Sequence, residues 1–323
     1  MLRVGFAGTF AASLEPAVRS SLDVPCEIAL GGEDAVITAL ADVDVLVTLA
    51  FTRAMAAAAR RLRLVQVPGA GLDRIDVAAL PPGVALANVY GHEVGIAEYV
   101  LAAMLTLTRG LGRLDAALRQ GRWESQWAVG APPPPAWPEL AGRTLAILGY
   151  GHIGRALARR AHAFEMRVLA IRRSLPGADD GLASVHGPDA LDDVLADADY
   201  AAITLPLTEA TRGLLGEARL RLLKPTAILV NVARAAIVDE DALYAALAER
   251  RLGGAALDVW YRYPTEPGPP RPAARPFHEL PNVLMTPHVA GWTDGMLRER
   301  ARLIAANVGR VARGEPPLNL IAR

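Results

Sequence analysis

The chain has 323 residues, 34 Lys+Arg against 34 Asp+Glu, and 52% hydrophobic residues. At about 100–200 residues per domain this length gives roughly two domains with cores of their own, and the composition excludes disordered and fibrous classes. Zero net charge leaves no electrostatic footprint for nucleic acid or an anionic membrane, and every basic residue except Lys224 is Arg, a bias read as genomic base composition.

The lone cysteine, Cys26, excludes an intrachain disulfide and a thiolate metal cluster, and it is expected to be a buried small apolar residue. The first ten residues read as a strand, and the most apolar window, 96–108, is short and contains Glu98. A cytoplasmic protein with no membrane span and no metal is therefore expected. HExxH, GxSxG and P-loop motifs are absent.

In chain order, strands are predicted at 3–7, 45–49, 64–67 and 85–89, separated by Ala-rich segments of helical period. A helical stretch from Ile96 to Trp123, interrupted by Gly110 and Gly112, leads to the proline segment 131–143, which cannot be helix interior. A second series follows, with strands at 144–148, 167–171, 200–205, 227–231, 254–258 and 283–285 and a closing helix over 294–313. Strands alternating with helices require right-handed crossovers and so parallel sheets covered on both faces.

The strand at 144–148 runs into Gly149-Tyr150-Gly151-His152-Ile153-Gly154 and then a helical segment. Gly149 suits the tight turn, Gly151 admits a pyrophosphate to the backbone, and Gly154 lets helix and strand pack closely, so this is read as a dinucleotide loop. An acid that would bind a ribose 2′-hydroxyl is expected about 20 residues on. Arg172-Arg173-Ser174 stand there instead, donors suited to a 2′-phosphate. NADP is the expected cofactor, with NAD the alternative.

Together, GAGLDRID from Gly69, IAEYVLAAML from Ile96, LAGRTLAILGYGHIGRALARRA from Leu140, LPLTEATRGLL from Leu205, LKPTAILVNVARAAIVDEDAL from Leu223, GAALDVW from Gly254 and NVLMTPHVAG from Asn282 resemble the D-isomer-specific 2-hydroxyacid dehydrogenase family over nearly the whole chain. The resemblance implies two Rossmann-like parallel-sheet α/β domains, a dinucleotide-binding domain (96–288) inserted into a substrate domain (1–95 and 289–323), with the active site in the cleft between, and a homodimer built through 96–123 and the Trp-bearing loop after it. It implies a small 2-oxo/2-hydroxy acid substrate, with Arg234 holding its carboxylate and polarising its oxo group, His288 transferring the proton, and Gly69, Ala70 and Gly71 receiving the carboxylate. Leu205, Pro206, Val232, Ala233 and Asp258 are implied in cofactor binding, Asp258 facing the carboxamide or capping a loop. His92 and Glu93 are read as a helix entry.

Two positions depart from the family; the milder is Ala235, where a glycine usually follows the arginine. The carboxylate expected five residues after Asp258, as partner of the histidine, is replaced by Tyr263, with Glu266 the other candidate. A phenol can orient an imidazole but adds little charge. The favoured reading is an NADP-preferring oxidoreductase moving hydride to or from C2 of the acid; the alternatives are a catalytically weak nicotinamide-dependent regulatory protein and a formate-type dehydrogenase.

Overall fold

Apolar runs of four or five residues become parallel strands here because helices return the chain over both sheet faces. The structure, a computed structural model, describes residues 1–34, 36–130, 132–175 and 180–321. The chain divides into two compact units, residues 1–92 with 292–323, and residues 93–291.

The first unit holds β1 (Leu2–Ala7), α1 (Thr9–Ser21), β2 (Cys26–Gly31), α2 (Val36–Ala39), β3 (Val45–Thr48), α3 (Arg53–Ala58), β4 (Leu64–Gln66) and β5 (Ala85–Ala87). Its strands pair in the order β2-β1-β3-β4-β5, all parallel. Strand alternation sends Val45 and Val47 to one face and Leu46 to the other.

The second unit begins with α4 (Glu93–Arg109) and α5 (Leu111–Arg119) and continues through β6 (Thr144–Leu148), α6 (His152–Ala163), β7 (Arg167–Ile171), β8 (Ser184–His186), α7 (Leu191–Asp197), β9 (Tyr200–Ile203), α8 (Glu217–Leu220), β10 (Ile228–Asn231), α9 (Glu240–Ala248), β11 (Gly254–Leu257) and β12 (Val283–Met285). The sheet order is β12-β11-β10-β9-β6-β7-β8, again all parallel. Val100 and Met104 of α4 and Leu157 of α6 cover one face with Leu145 and Ile147; Val194 of α7 and Leu243 of α9 cover the other with Ala146 and Leu148. Each such aliphatic side chain contributes about 1.5–3 kcal/mol on burial, so the two covered faces hold this sheet together. The closing helix α10 (Asp294–Ala312) belongs to the first unit, where Ile304 and Val308 pack beside β1 and Asn307 donates to buried Gln66 at 2.6 Å.

Several expectations need correction. Strands β2 and β8 were not foreseen, because each lies at a sheet edge and alternates or lacks the continuous apolar run of a central strand. Cys26 opens β2 and is only half-buried. The helical stretch starts at Glu93 and breaks at Gly110, whose φ of +61° no ordinary helix residue adopts, while Gly112 lies inside α5. Among the described residues no single helix is long and apolar enough to cross a membrane; α4 and α5 pass that test only as a pair bent by 58°, and α4 spends its apolar side on the core.

Candidate active site

The glycine loop divides its work among three glycines. Gly149 has φ +112°, and a Cβ there would stand 2.8 Å from the Leu205 nitrogen; a Cβ at Gly154 would stand 2.4 Å from the Gly149 carbonyl oxygen. At Gly151 nothing lies within 4 Å. The outer two therefore serve the packing of the loop on β9 and α6, and the middle one leaves room for a phosphate to approach the backbone at the positive end of α6. The N–H groups of Gly149 and Tyr150 both donate to Ile171 O, at 3.0 and 3.1 Å, tying the loop to β7. Tyr150 is buried, its hydroxyl donating to the Asp180 carboxylate at 2.7 Å, with Arg155 over its ring. Its side chain braces the loop from beneath. The side chain of His152 is exposed and Ile153 is half-buried at the head of α6.

At the end of β7, the Arg172 N–H donates to His186 O at 2.9 Å, and its Nη1 is buried without a hydrogen-bond partner among the described residues. A charged donor left so costs about 1–3 kcal/mol until an acceptor arrives, and an anion is the acceptor its chemistry suits. Arg173 and Ser174 beside it are exposed. The donors present at the loop and strand end thus fit a phosphorylated dinucleotide. Asp180 is engaged by Tyr150 and Arg155.

Three neighbouring strands, β10, β11 and β12, carry Arg234, Asp258 and His288 just beyond their carboxyl ends, where ligands bind in open α/β sheets. Buried Asn231 shapes the first turn: its Nδ2 donates to Arg234 O at 3.0 Å and its Oδ1 accepts from Ala233 N at 3.1 Å. Val232 and Ala233 are buried, and Arg234, half-buried, donates from Nη1 to Ala233 O at 2.8 Å.

His288 sits in the left-handed region with φ +58°, which costs an L residue about 1–2 kcal/mol. Its N–H donates to Thr286 O, and the Asp258 carboxylate gathers the turn by accepting from Thr286 Oγ1 at 2.6 Å, Val289 N at 2.8 Å and Ala290 N at 2.9 Å. Asp258 is 1% exposed, and these bonds make it the cap of this loop. The Trp260 indole donates to Thr286 O at 2.8 Å, and Tyr99 of α4 lies 2.6 Å from Thr286 Oγ1.

The imidazole Nδ1 lies 2.7 Å from the Tyr263 hydroxyl, with the rings tilted by 51°. Tyr263 therefore fills the partner position; Glu266 is exposed in the proline-rich segment. Although His288 reaches the surface of its unit, the protein packed round the ring desolvates it and lowers its pKa; Asp258 pulls upward, Arg234 downward, and the net direction is down. Burial raises the Tyr263 pKa, so the phenol stays neutral. It can donate to a neutral imidazole or accept from an imidazolium.

In the first unit, the loop after β4 carries Gly69, Ala70 and Gly71. Ala70 O accepts from Asn88 Nδ2 at 3.0 Å and Gly69 O from Val89 N at 3.2 Å, while their three N–H groups have no partner among the described residues. Leu205 is half-buried against Gly149 and Pro206 is exposed. His92 is buried and Glu93 starts α4. Sequence reasoning did not single out Asn231, Trp260, Thr286 or Tyr99. The available signal was a polar residue directly after an apolar strand (Thr286) and a hydroxyl in an apolar helix (Tyr99).

Residues 101–290 match the model of the D-isomer specific 2-hydroxyacid dehydrogenase NAD-binding domain. The chain belongs to the D-isomer specific 2-hydroxyacid dehydrogenase family. This dehydrogenase is 36% identical over 294 residues to a glyoxylate reductase of Thermococcus onnurineus, covering 87% of this chain and 84% of that one. It is 31% identical to a D-3-phosphoglycerate dehydrogenase of Methanocaldococcus jannaschii, over 91% of this chain and 55% of the other. Among solved structures, the 2-hydroxyacid dehydrogenase of Ketogulonicigenium vulgare superposes with a TM-score of 0.81 at 27% identity, covering 100% and 99% of the two chains. The dehydrogenase is thus an oxidoreductase that transfers hydride between a nicotinamide nucleotide and a 2-oxo/2-hydroxy acid. Neither the regulatory nor the formate-type reading is favoured by these relatives.

Proposed function

We propose that the chain is an NADP-preferring, cytoplasmic, homodimeric reductase of small 2-oxo acids, with no membrane or nucleic-acid partner. Residues 1–95 and 289–323 serve the substrate and residues 96–288 the cofactor. The observation that carries the reading is the delivery of Arg234 and His288 beyond β10 and β12, the two parallel strands that flank β11, the histidine with Tyr263 at Nδ1 and its charge state biased toward neutral by desolvation and by Arg234.

When bound, the nicotinamide supplies or accepts the hydride. Arg234 holds the carboxylate by its planar fork and draws electron density toward the oxo oxygen. Protonated His288 gives its Nε2 proton to that oxygen as negative charge builds there, and Tyr263 accepts from Nδ1–H and keeps the ring in orientation. The N–H groups of Gly69, Ala70 and Gly71 receive the carboxylate. Gly149, Gly151, His152, Ile153, Gly154, Leu205, Pro206, Val232 and Ala233 hold the dinucleotide, and Arg172 with Arg173 takes the 2′-phosphate. Glyoxylate leads the substrate panel because relatives carry that name.

The test is NADPH oxidation with glyoxylate, hydroxypyruvate and pyruvate by wild type and His288→Ala. Turnover on one of these acids, falling at least a hundredfold in the variant with NADPH affinity kept, is expected. Turnover within a few-fold of wild type in the variant would reject the assignment.

A further inference from the structure

The backbone of His288 is held by more than its own turn. Thr286 Oγ1 lies 2.6 Å from Asp258 Oδ1 and 2.6 Å from the Tyr99 hydroxyl. A carboxylate only accepts, so the threonine proton goes to Asp258, and the hydroxyl at Tyr99 must then donate to Thr286. The direction of both bonds is fixed: Tyr99 to Thr286 to Asp258. Burial raises the Tyr99 pKa, which keeps its phenol protonated for this task. The other two bonds to the carboxylate come from Val289 N and Ala290 N, the two N–H groups directly after His288. They converge on Asp258 while the chain at His288 is left-handed, and so the carboxylate secures a conformation an L residue rarely adopts.

We propose that Tyr99, Thr286 and Asp258 form a positioning unit for the reaction, an ordered hydrogen-bond chain from α4 to the TPH turn that holds His288 in its left-handed conformation and so fixes where its ring meets Tyr263 and the substrate. None of the three transfers a proton to substrate. Among the described residues, the charged and titratable groups facing His288 are Asp258 just after β11, Tyr263 in the segment beyond it, and Arg234 after β10. The unit rests on the reading of His288 as the proton donor, and it departs from a role of Asp258 limited to the nicotinamide carboxamide. A carboxylate reserved for cofactor would have no need of the Thr286 and Tyr99 hydroxyls behind it.

The test uses Thr286→Val, Thr286→Ser, Tyr99→Phe and His288→Ala, assayed with NADPH and glyoxylate, together with NMR titration of the His288 imidazole in the cofactor-free protein. Thr286→Val is expected to lower kcat at least fivefold with glyoxylate KM and NADPH Kd kept within twofold. Thr286→Ser should restore most of that loss, and Tyr99→Phe added to Thr286→Val should cost little more, because both break one chain. By NMR, the His288 ring signals should shift in Thr286→Val and return in Thr286→Ser. A Thr286→Val enzyme with wild-type kcat and unchanged His288 signals overturns the proposal, as does a variant whose whole defect lies in NADPH Kd. If His288→Ala itself keeps turnover, the proton-donor reading fails; if His288→Ala is inactive while Thr286→Val is normal, only the positioning unit fails.

Discussion

The Tyr263 hydroxyl stands 2.7 Å from Nδ1 of His288, so the hydrogen-bond partner of this imidazole is a neutral phenol. Without a carboxylate at that point, desolvation and Arg234 outweigh the pull of Asp258, and the histidine pKa falls below its ordinary value of about 6.5. Reduction of an oxo acid needs the imidazolium. Reductive kcat/KM should therefore fall as pH rises, with a midpoint below about 6.5, and oxidation, which needs the neutral base, should fall as pH drops through the same midpoint. Steady-state profiles in both directions check this; a reductive plateau extending above about pH 8 would contradict it.

Tyr263→Glu should reverse the bias. An ionised partner at hydrogen-bond distance stabilises imidazolium, typically by about 1–3 pH units of midpoint. The reductive profile should extend to higher pH while kcat at low pH changes little. Tyr263→Phe removes the hydrogen bond without adding charge and should lower kcat by roughly tenfold, about 1.4 kcal/mol. An unmoved midpoint in Tyr263→Glu would show that residue 263 does not govern the histidine.

The proposed preference for NADP rests on Arg172, whose buried Nη1 has no acceptor among the described residues. A charge-assisted bond to a 2′-phosphate is worth about 1.5–3 kcal/mol, so NADPH should bind at least tenfold tighter than NADH. Arg172→Asp should erase or reverse that ratio. Equal dissociation constants for the two nucleotides in wild type, measured by cofactor fluorescence, would sink the idea.

What the sequence made legible follows a physical divide. The central strands β6, β9, β10 and β11 are buried at every position and announce themselves as apolar runs, and the glycine loop between β6 and α6 carries its own steric logic. Edge strands β2 and β8 answer to weaker constraints and escaped notice. Tyr263 was visible by its spacing from Asp258, but its bond to His288 depends on how a proline-rich segment folds, which no period encodes. Thr286 and Tyr99 stand 187 positions apart in sequence; their contact is a product of packing α4 on the sheet and could not be read locally.

The oligomer prediction concerns α5 and the segment after it. Leu111, Leu118, Trp123 and Trp127 are all at least half exposed, Trp127 at 76%, an unusual concentration of large apolar side chains on one stretch. A second copy of the chain would remove them from water. Light scattering at micromolar concentration should give twice the 34.2 kDa chain mass, and the paired change Trp123→Glu, Trp127→Glu should shift it to the monomer. A wild-type monomer would refute it.

The glycines of the dinucleotide loop separate folding from binding. Gly154→Ala would set a Cβ 2.4 Å from the Gly149 carbonyl oxygen, a backbone atom that cannot swing aside as a side chain can, and Gly149→Ala would place one 2.8 Å from Leu205 N at φ +112°. Both should destabilise the second unit by about 2 kcal/mol or more, seen as a lower Tm or a lower denaturant midpoint without cofactor. Gly151→Ala is different. Its φ of −97° suits any residue and its surroundings are empty to 4 Å, so the cofactor-free protein should keep its Tm within a degree or two. If the proposed pyrophosphate site lies at the head of α6, the added methyl takes its space, and NADPH Kd should rise at least tenfold. A Gly151→Ala protein that binds NADPH as wild type does would mean the phosphates approach elsewhere; one that loses stability as Gly154→Ala does would mean the middle glycine serves the fold rather than the ligand.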